Sequence, residues 1–411
     1  MPRARTPDGG DRRRLRRFAA VATSLSALIA TSIVAGPATA SEAVLPCALG
    51  RTDAHHSEGV DSWNGSYPRP DRRLDAVMIY LSFPDARPES TPQELSHDYF
   101  PATSGFFARA SYGHFRLRPH IHRSWVRMPR PSASYGIQRD WDADRRSAYL
   151  HDAVAAADPS VDFSRYDVVY FVADPDAPGV DSDATKVVNL DQPMHADDRE
   201  LSRFVTVFEQ SPPDRNVLAH ETGHVFDLPD LYHRPEGGKG DWDTYVGDWD
   251  LMGSQFGLAP DPFAWHKWRL GWITDRQVEC VDLAGPAMHS LRTLSAPGDA
   301  RRRPRLLVLR TGHDSALAVE ARDATGNDRS LCAEGVLVYR VHSDTASGSG
   351  PVQVLDGHPG TSACWGTSVY PPLADAPLGV GESMDDARDG VRIQVAGRTT
   401  DGDWAVKIGH H

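Results

Sequence analysis

The segment that decides the fold is DRNVLAHETGHVFDLPDLY, residues 214–232. Asp214 is a suitable N-cap, so we expect a helix to begin there. On that helix His220 and His224 are four residues apart and lie on one face, where both imidazoles can reach the same metal ion. Glu221 is rotated by about 100° and can stand beside the ion without binding it. This HExxH pattern predicts hydrolysis by a zinc-activated water, with Glu221 as the base.

The residues after this helix supply the predicted third ligand. A ligand six residues beyond His224 requires the helix to end and the chain to turn back sharply. Asp227 lies at that turn, and Asp is among the few non-glycine residues that adopt positive φ. Pro229 prevents the helix from continuing. We therefore predict one zinc ion bound by the two histidines and Asp230, with His233 as the alternative third ligand.

These motifs resemble those of the immune inhibitor A-like metallopeptidases, which are secreted bacterial enzymes of the metzincin type. The matching segments are HETGHVFDLPDLY (220–232), VGDWDLMGS (246–254), IYLSFPD (79–85) and ARASYGHFRL (108–117). The resemblance implies Asp230 as third ligand and Met252 in a tight turn beneath the metal. It also implies that calcium can bind. One position departs from the family: Asp227 stands where glycine is common, so its carboxylate is a further candidate for approach to the metal.

The pattern of apolar segments predicts two domains. Between residues 73 and 277, strands alternate with helices, which predicts an α/β (α+β) layer. The resemblance implies that this unit is a metzincin-like zinc peptidase domain. We expect strands at 75–83, 114–121, 166–173 and 203–209, and helices near 92–110, 139–157 and 263–272. Short β-type runs separated by Gly, Asp and Pro predict that residues 278–411 form a C-terminal all-β, sandwich-like domain.

The N-terminal segment has the pattern of an export signal. Seven Arg and two Asp precede an apolar stretch that ends at Ala38-Thr39-Ala40, so we predict a signal peptide at residues 1–40. Residues 41–72 are a lead-in, either a short propeptide or an arm on the first domain. Removing 1–40 takes away a charge of 7 − 2 = +5, which changes the net charge from −12 to −17. We expect a secreted, extracellular protein with no nucleic-acid partner and no stable membrane association after signal cleavage.

Four cysteines in an exported chain predict two disulfides. Cys332 and Cys364 lie in the same C-terminal region, so we pair them, which leaves Cys47 with Cys280. The alternative is that the Cys47 thiolate caps the metal in a latent form.

Two acidic clusters are candidate calcium sites, although neither has the spacing of an EF-hand loop. Their residues are Asp174, Asp176, Asp181 and Asp183, and Asp241, Asp243, Asp248 and Asp250. For the whole chain we predict a secreted zinc endopeptidase that acts on extracellular proteins or peptides. The alternative is a secreted binding or adhesion protein with a non-catalytic metal site. A purely structural metal site has no need of Glu221, which favours the enzyme.

Overall fold

The computed structural model describes residues 44–235, 239–297 and 303–411. The predicted signal peptide, residues 1–40, lies outside these ranges. In the described ranges the α-helices are α1 (Pro92–Ser96), α2 (Ala102–Ala110), α3 (Ala143–Ala157), α4 (Val217–Val225) and α5 (Ala264–Arg269). None of the helices in these ranges is long and apolar enough to cross a membrane.

The β-strands outnumber the helices, so the fold is mixed α/β and mostly sheet. The strands are β1 (Arg73–Ser82), β2 (Arg116–Ile121), β3 (Val126–Arg127), β4 (Val168–Ala173), β5 (Lys186–Ala196), β6 (Arg199–Val207), β7 (Val278–Cys280), β8 (Ala287–Leu291), β9 (Leu306–Arg310), β10 (Ser315–Arg322), β11 (Gly335–His342), β12 (Val352–Leu355), β13 (Ser383–Asp386), β14 (Val391–Arg398) and β15 (Trp404–His410).

The first sheet has the order β2-β1-β4-β6-β5, with β3 paired to β1. All its pairings are parallel except that of β5, which runs antiparallel to β6 at the sheet edge. Strands β1 and β4 are continuous apolar runs because both of their faces are covered. Tyr149, Leu150 and Ala153 of α3 pack on one face. On the other face, α2 and α4 share a core with Met78 and Tyr80.

The C-terminal strands form two further sheets. Five strands follow the order β12-β11-β10-β9-β7 and four follow β13-β14-β15-β8. Alternate residues of the five-stranded sheet, such as Leu307 and Val319, pack against Ile393 and Val406 of the four-stranded sheet. Tyr339, on the opposite face, belongs to the core that also contains α4. The five-stranded sheet therefore has two buried faces, and residues 45–411 form one compact unit across the predicted boundary at 278.

Most of the predicted elements are found, and the differences include the following three. The edge strand β5 was not predicted, because its sequence KVVNLDQPMHA is only partly apolar and contains a proline. The predicted helix at 92–110 is two helices separated around Pro101, which has no N–H to donate within a continuous helix. Asp214 is not the N-cap of α4: that position is Asn216, with a φ of 62°.

Both predicted disulfides are confirmed. Cys47 pairs with Cys280 at a Cα separation of 5.5 Å, and Cys332 pairs with Cys364 at 6.0 Å. The proposal that Cys47 caps the metal is wrong, since its sulfur is bonded to Cys280. The disulfide and the burial of Leu49 bind the start of the lead-in to the same core as α4.

Candidate metal centre

Helix α4 lies in the interior with all nine of its residues buried. Apolar residues such as Val217, Leu218 and Val225 pack into the core, which fixes the helix against the sheet. The polar residues His220, Glu221 and His224 are also buried, and burying polar groups is unfavourable unless they have partners. Their partners therefore define the site.

The two histidines converge with Asp230, as the sequence predicts. The Nε2 atom of His220 lies 3.4 Å from the Oδ1 atom of Asp230, and the Nε2 atom of His224 lies 3.0 Å from it. All three potential ligand atoms lie within 4.8 Å of one another. Tetrahedral coordination with bonds of about 2.1 Å would separate ligand atoms by about 3.4 Å. The spacing therefore fits a zinc ion.

Backbone carbonyls orient both imidazoles. The Nδ1 atom of His220 lies 2.9 Å from the carbonyl oxygen of Leu251, and that of His224 lies 2.8 Å from the carbonyl oxygen of Leu228. A carbonyl oxygen only accepts, so each Nδ1 carries the proton and donates it. Each Nε2 then faces Asp230, and its lone pair is available to a metal ion once that nitrogen carries no proton.

The electrostatics of the group favour a cation. The Oδ1 atom of Asp230 is buried and has no hydrogen-bond partner among the described residues, an arrangement that a bound metal would satisfy. Burial lowers the pKa of His224, but the Asp230 carboxylate, together with Glu221 and the Leu228 carbonyl, outweighs burial and raises the pKa to about 9. Burial raises the pKa of Asp230, and the two histidines more than reverse this effect, to well below the ordinary value.

The turn between the ligands is held by Asp227, which adopts a φ of 66°, in the positive region that the sequence predicts. Its carboxylate does not join the metal group. It accepts instead from Arg51 at 2.7 Å, from His56 at 2.8 Å and from Arg269 at 2.8 Å. Burial raises the pKa of Asp227, but these partners outweigh burial and lower the pKa below its ordinary value. The departure from glycine therefore creates a buried ionic anchor rather than an extra ligand.

A distant segment holds the third ligand. The backbone N–H of Asp230 donates to the Oγ atom of Ser347 at 2.8 Å, and that hydroxyl donates to the Oδ2 atom of Asp230 at 3.3 Å. The N–H of Gly348 donates to the carbonyl oxygen of Asp230 at 2.9 Å. Ser347 could not be predicted from the sequence, because it lies 117 residues from Asp230 in a polar loop.

Met252 lies directly beneath α4. A Cβ atom added to Gly223 would come 2.5 Å from the Met252 sulfur, so the two residues are in close contact. The carbonyl oxygen of Met252 accepts from the N–H of Leu231, and its N–H donates to Asp250. Asp250 is itself bound to buried His266. The tight turn that carries Met252, called the methionine turn below, therefore contacts both helix α4 and the turn that carries Asp230.

Glu221 lies on α4 beside the two histidines and is not part of the three-ligand group. Its Oε2 atom accepts from the backbone N–H of Val187, on the edge strand β5, at 2.7 Å. Burial raises the pKa of Glu221, and the charge of Asp230 adds to this effect, while the neighbouring histidines oppose it. A carboxyl group with a raised pKa is better able to accept a proton near neutral pH.

The other candidates lie outside the group. The ring of His233 packs against Tyr245 at 5.2 Å, and His233 is not among the clustered ligands. Burial raises the pKa of Tyr232, and the charge of Asp230 adds to the effect. Within the described ranges no acidic cluster gathers three ligating side chains; Asp248, for example, accepts from the N–H groups of Leu258 and Val369.

Comparisons with known proteins give little similarity. No family model matches the chain, and no curated protein matches it. Among solved structures, OgpA from Akkermansia muciniphila aligns with a TM-score of 0.29 and 10% identity, over 81% of this chain and 90% of that one. A second crystal form of OgpA gives a TM-score of 0.28 and 11% identity, over 81% and 89%.

Proposed function

We propose that the chain is a secreted zinc-dependent endopeptidase that hydrolyses peptide bonds of extracellular proteins. The observation that carries this proposal is the convergence of the His220, His224 and Asp230 ligand atoms on one point, with Glu221 beside them. Structural zinc sites are usually closed by four protein ligands, whereas catalytic sites have three and an open position. Among the described residues no fourth His, Cys, Asp or Glu joins this group.

The residues have separable roles in this reaction. His220, His224 and Asp230 would hold the zinc ion, which would supply Lewis acidity for the attack of water on a carbonyl carbon. Glu221 is the general base, since burial raises its pKa and the Val187 N–H fixes one of its oxygens. After accepting the proton it can pass it to the leaving amine. Tyr232 lies two residues after Asp230 in the sequence and is the candidate donor to the developing oxyanion.

The resemblance to the metzincin-type immune inhibitor A-like metallopeptidases belongs to this proposal. It is supported by Met252, which packs under α4, and by the shared turn that carries Asp230. Export is supported by the two disulfides, which persist in oxidising compartments. The resemblance also implies that calcium can bind, and the calcium content of the purified protein would test this.

The direct test is a metal-dependence assay on casein. We expect about one zinc per chain, loss of hydrolysis in a chelator, and recovery when zinc is restored. His224→Ala should lose both zinc and activity, because two remaining ligands bind zinc weakly. His233→Ala is the matched control and should keep both. A fully zinc-loaded chain that hydrolyses no peptide would instead favour the binding or adhesion protein.

A further inference from the structure

The N-terminal arm, residues 45–63, is embedded in the molecule rather than laid on its surface. Cys47 is covalently tied to Cys280, and Leu49 is fully buried in the core that contains α4. Further along the arm, His56 and Glu58 are buried as well. Buried polar side chains require partners, and those of His56 and Glu58 are Asp227 and His266.

The first contact of the arm is with the turn between the metal ligands. Asp227 lies three residues after His224 and three before Asp230, and it is 1% exposed. Two of its three partners, Arg51 and His56, come from the arm. A buried carboxylate that loses its partners strongly destabilises the fold. The Asp227 carboxylate also lies only three residues from a second carboxylate, that of Asp230. The turn also carries the strain of positive φ in a residue with a Cβ atom.

A second chain of contacts runs from the arm to the methionine turn. The Oε1 atom of Glu58 lies 2.8 Å from Nε2 of His266, whose Nδ1 atom lies 2.7 Å from Asp250. Asp250 accepts in turn from the N–H of Met252 at 2.8 Å. The arm thus contacts the turn that carries the third ligand directly, and it is connected to Met252 through His266 and Asp250.

We propose that the N-terminal arm is a permanent part of the metal centre, in which Arg51 and His56 are positioning residues for the turn that carries Asp230. The inference rests on the proposed function only in taking Asp230 as a metal ligand. For residues 41–72 the sequence left two alternatives, a short propeptide or an arm on the first domain, and the contacts of residues 45–63 favour the arm. Loss of residues 45–63, which requires cleavage beyond residue 63 and reduction of the Cys47–Cys280 disulfide, would separate Asp227 from two of its partners and damage the site instead of activating it.

The test is zinc titration of the metal-free full-length protein with Arg51→Met. Methionine keeps the apolar stem and removes the charge. Loss of a residue that supports a ligand typically weakens metal affinity by about 10–100-fold, and we expect a loss in that range. Arg87→Met is the matched control, because Arg87 is exposed and distant in sequence from the turn. Equal zinc affinities in the two variants would overturn the inference.

A second variant separates positioning from general packing. In Arg51→Met/Asp227→Gly the carboxylate that needs neutralising is gone, and glycine adopts positive φ without strain. Arg269 keeps Glu58 as a partner at 3.7 Å. We expect most of the zinc affinity to return. A double variant that binds zinc as weakly as Arg51→Met alone, at an unchanged thermal unfolding midpoint, would contradict the positioning role.

These outcomes are distinguishable from failure of the proposed function. A wild type that binds zinc but hydrolyses no peptide counts against the peptidase, while weaker zinc binding in Arg51→Met still supports the inference. A wild type that binds no zinc refutes both. Mass analysis of the secreted protein provides an independent check: we expect a mature chain that retains Cys47 and its disulfide. An active, zinc-loaded protein that lacks residues 45–63 altogether, with no arm fragment held by the disulfide, would refute the inference.

Discussion

Substitution of Glu221 by glutamine tests the assigned base with the least structural change. Glutamine has nearly the same shape, and its side-chain oxygen can still accept from the Val187 N–H that now lies 2.7 Å from Glu221. The amide cannot accept a proton from water. Since Glu221 is not one of the three clustered ligands, we expect the variant to keep its zinc. We therefore expect a folded, zinc-loaded and inactive protein.

The size of the effect follows from the role. A positioned general base contributes about 10²–10⁴ in rate, which corresponds to about 3–5 kcal/mol of activation free energy. The glutamine variant should lose activity but should not lose stability toward unfolding. Burial raises the pKa of Glu221 in the folded protein. The ionised side chain therefore destabilises the fold increasingly as the pH rises above the pKa that Glu221 has in the unfolded chain. The metal-free glutamine variant should thus unfold at the same or a higher temperature at neutral pH.

The assay is casein hydrolysis with zinc content and thermal unfolding measured on the same preparation. Glu209→Gln is the matched control: Glu209 is 7% exposed where Glu221 is 8%, its pKa is also raised by burial, and it accepts from the N–H of Asp214. It lies outside the ligand group, so the control should stay active. Undiminished hydrolysis by Glu221→Gln would refute the mechanism, and equal loss in both variants would show a nonspecific effect.

Two further predictions concern the residues that support the site. Ser347→Ala removes the hydroxyl bound to Asp230 and should weaken zinc binding by about 10–100-fold. The control Ser349→Ala, at an exposed residue, should not weaken it. Equal zinc affinities in the two variants would contradict the role of Ser347 in holding Asp230. Burial lowers the pKa of His266, but Glu58 and Asp250 outweigh burial and raise it to about 10, above its ordinary 6.5. This contribution to stability is full below about pH 6.5 and lost as pH rises to about 10, so the unfolding free energy of the wild type, relative to His266→Gln, should decline over that window. Parallel curves for the two proteins would disprove the linkage.

Local sequence patterns predicted the features that depend on near neighbours. Two histidines one helical turn apart share a face wherever the helix is placed, and Pro229 prevents that helix from continuing in any context. Positive φ at Asp227 follows from the same turn. The buried strand β1 was found from its apolar run, whereas the polar edge strand β5, and with it the contact between Val187 and Glu221, was not.

Only the tertiary structure decided what the polar side chains around the ligands do. Asp227 was a candidate for metal approach on sequence grounds, and the fold turns its carboxylate toward Arg51, 176 residues earlier. Ser347 reaches Asp230 from 117 residues away. Side-chain partners at such separations leave no periodic signal, because they depend on how distant segments pack and not on the spacing of residues along one element. The chain by itself therefore determined the predicted ligands, and the packing of distant segments determined the groups that hold them.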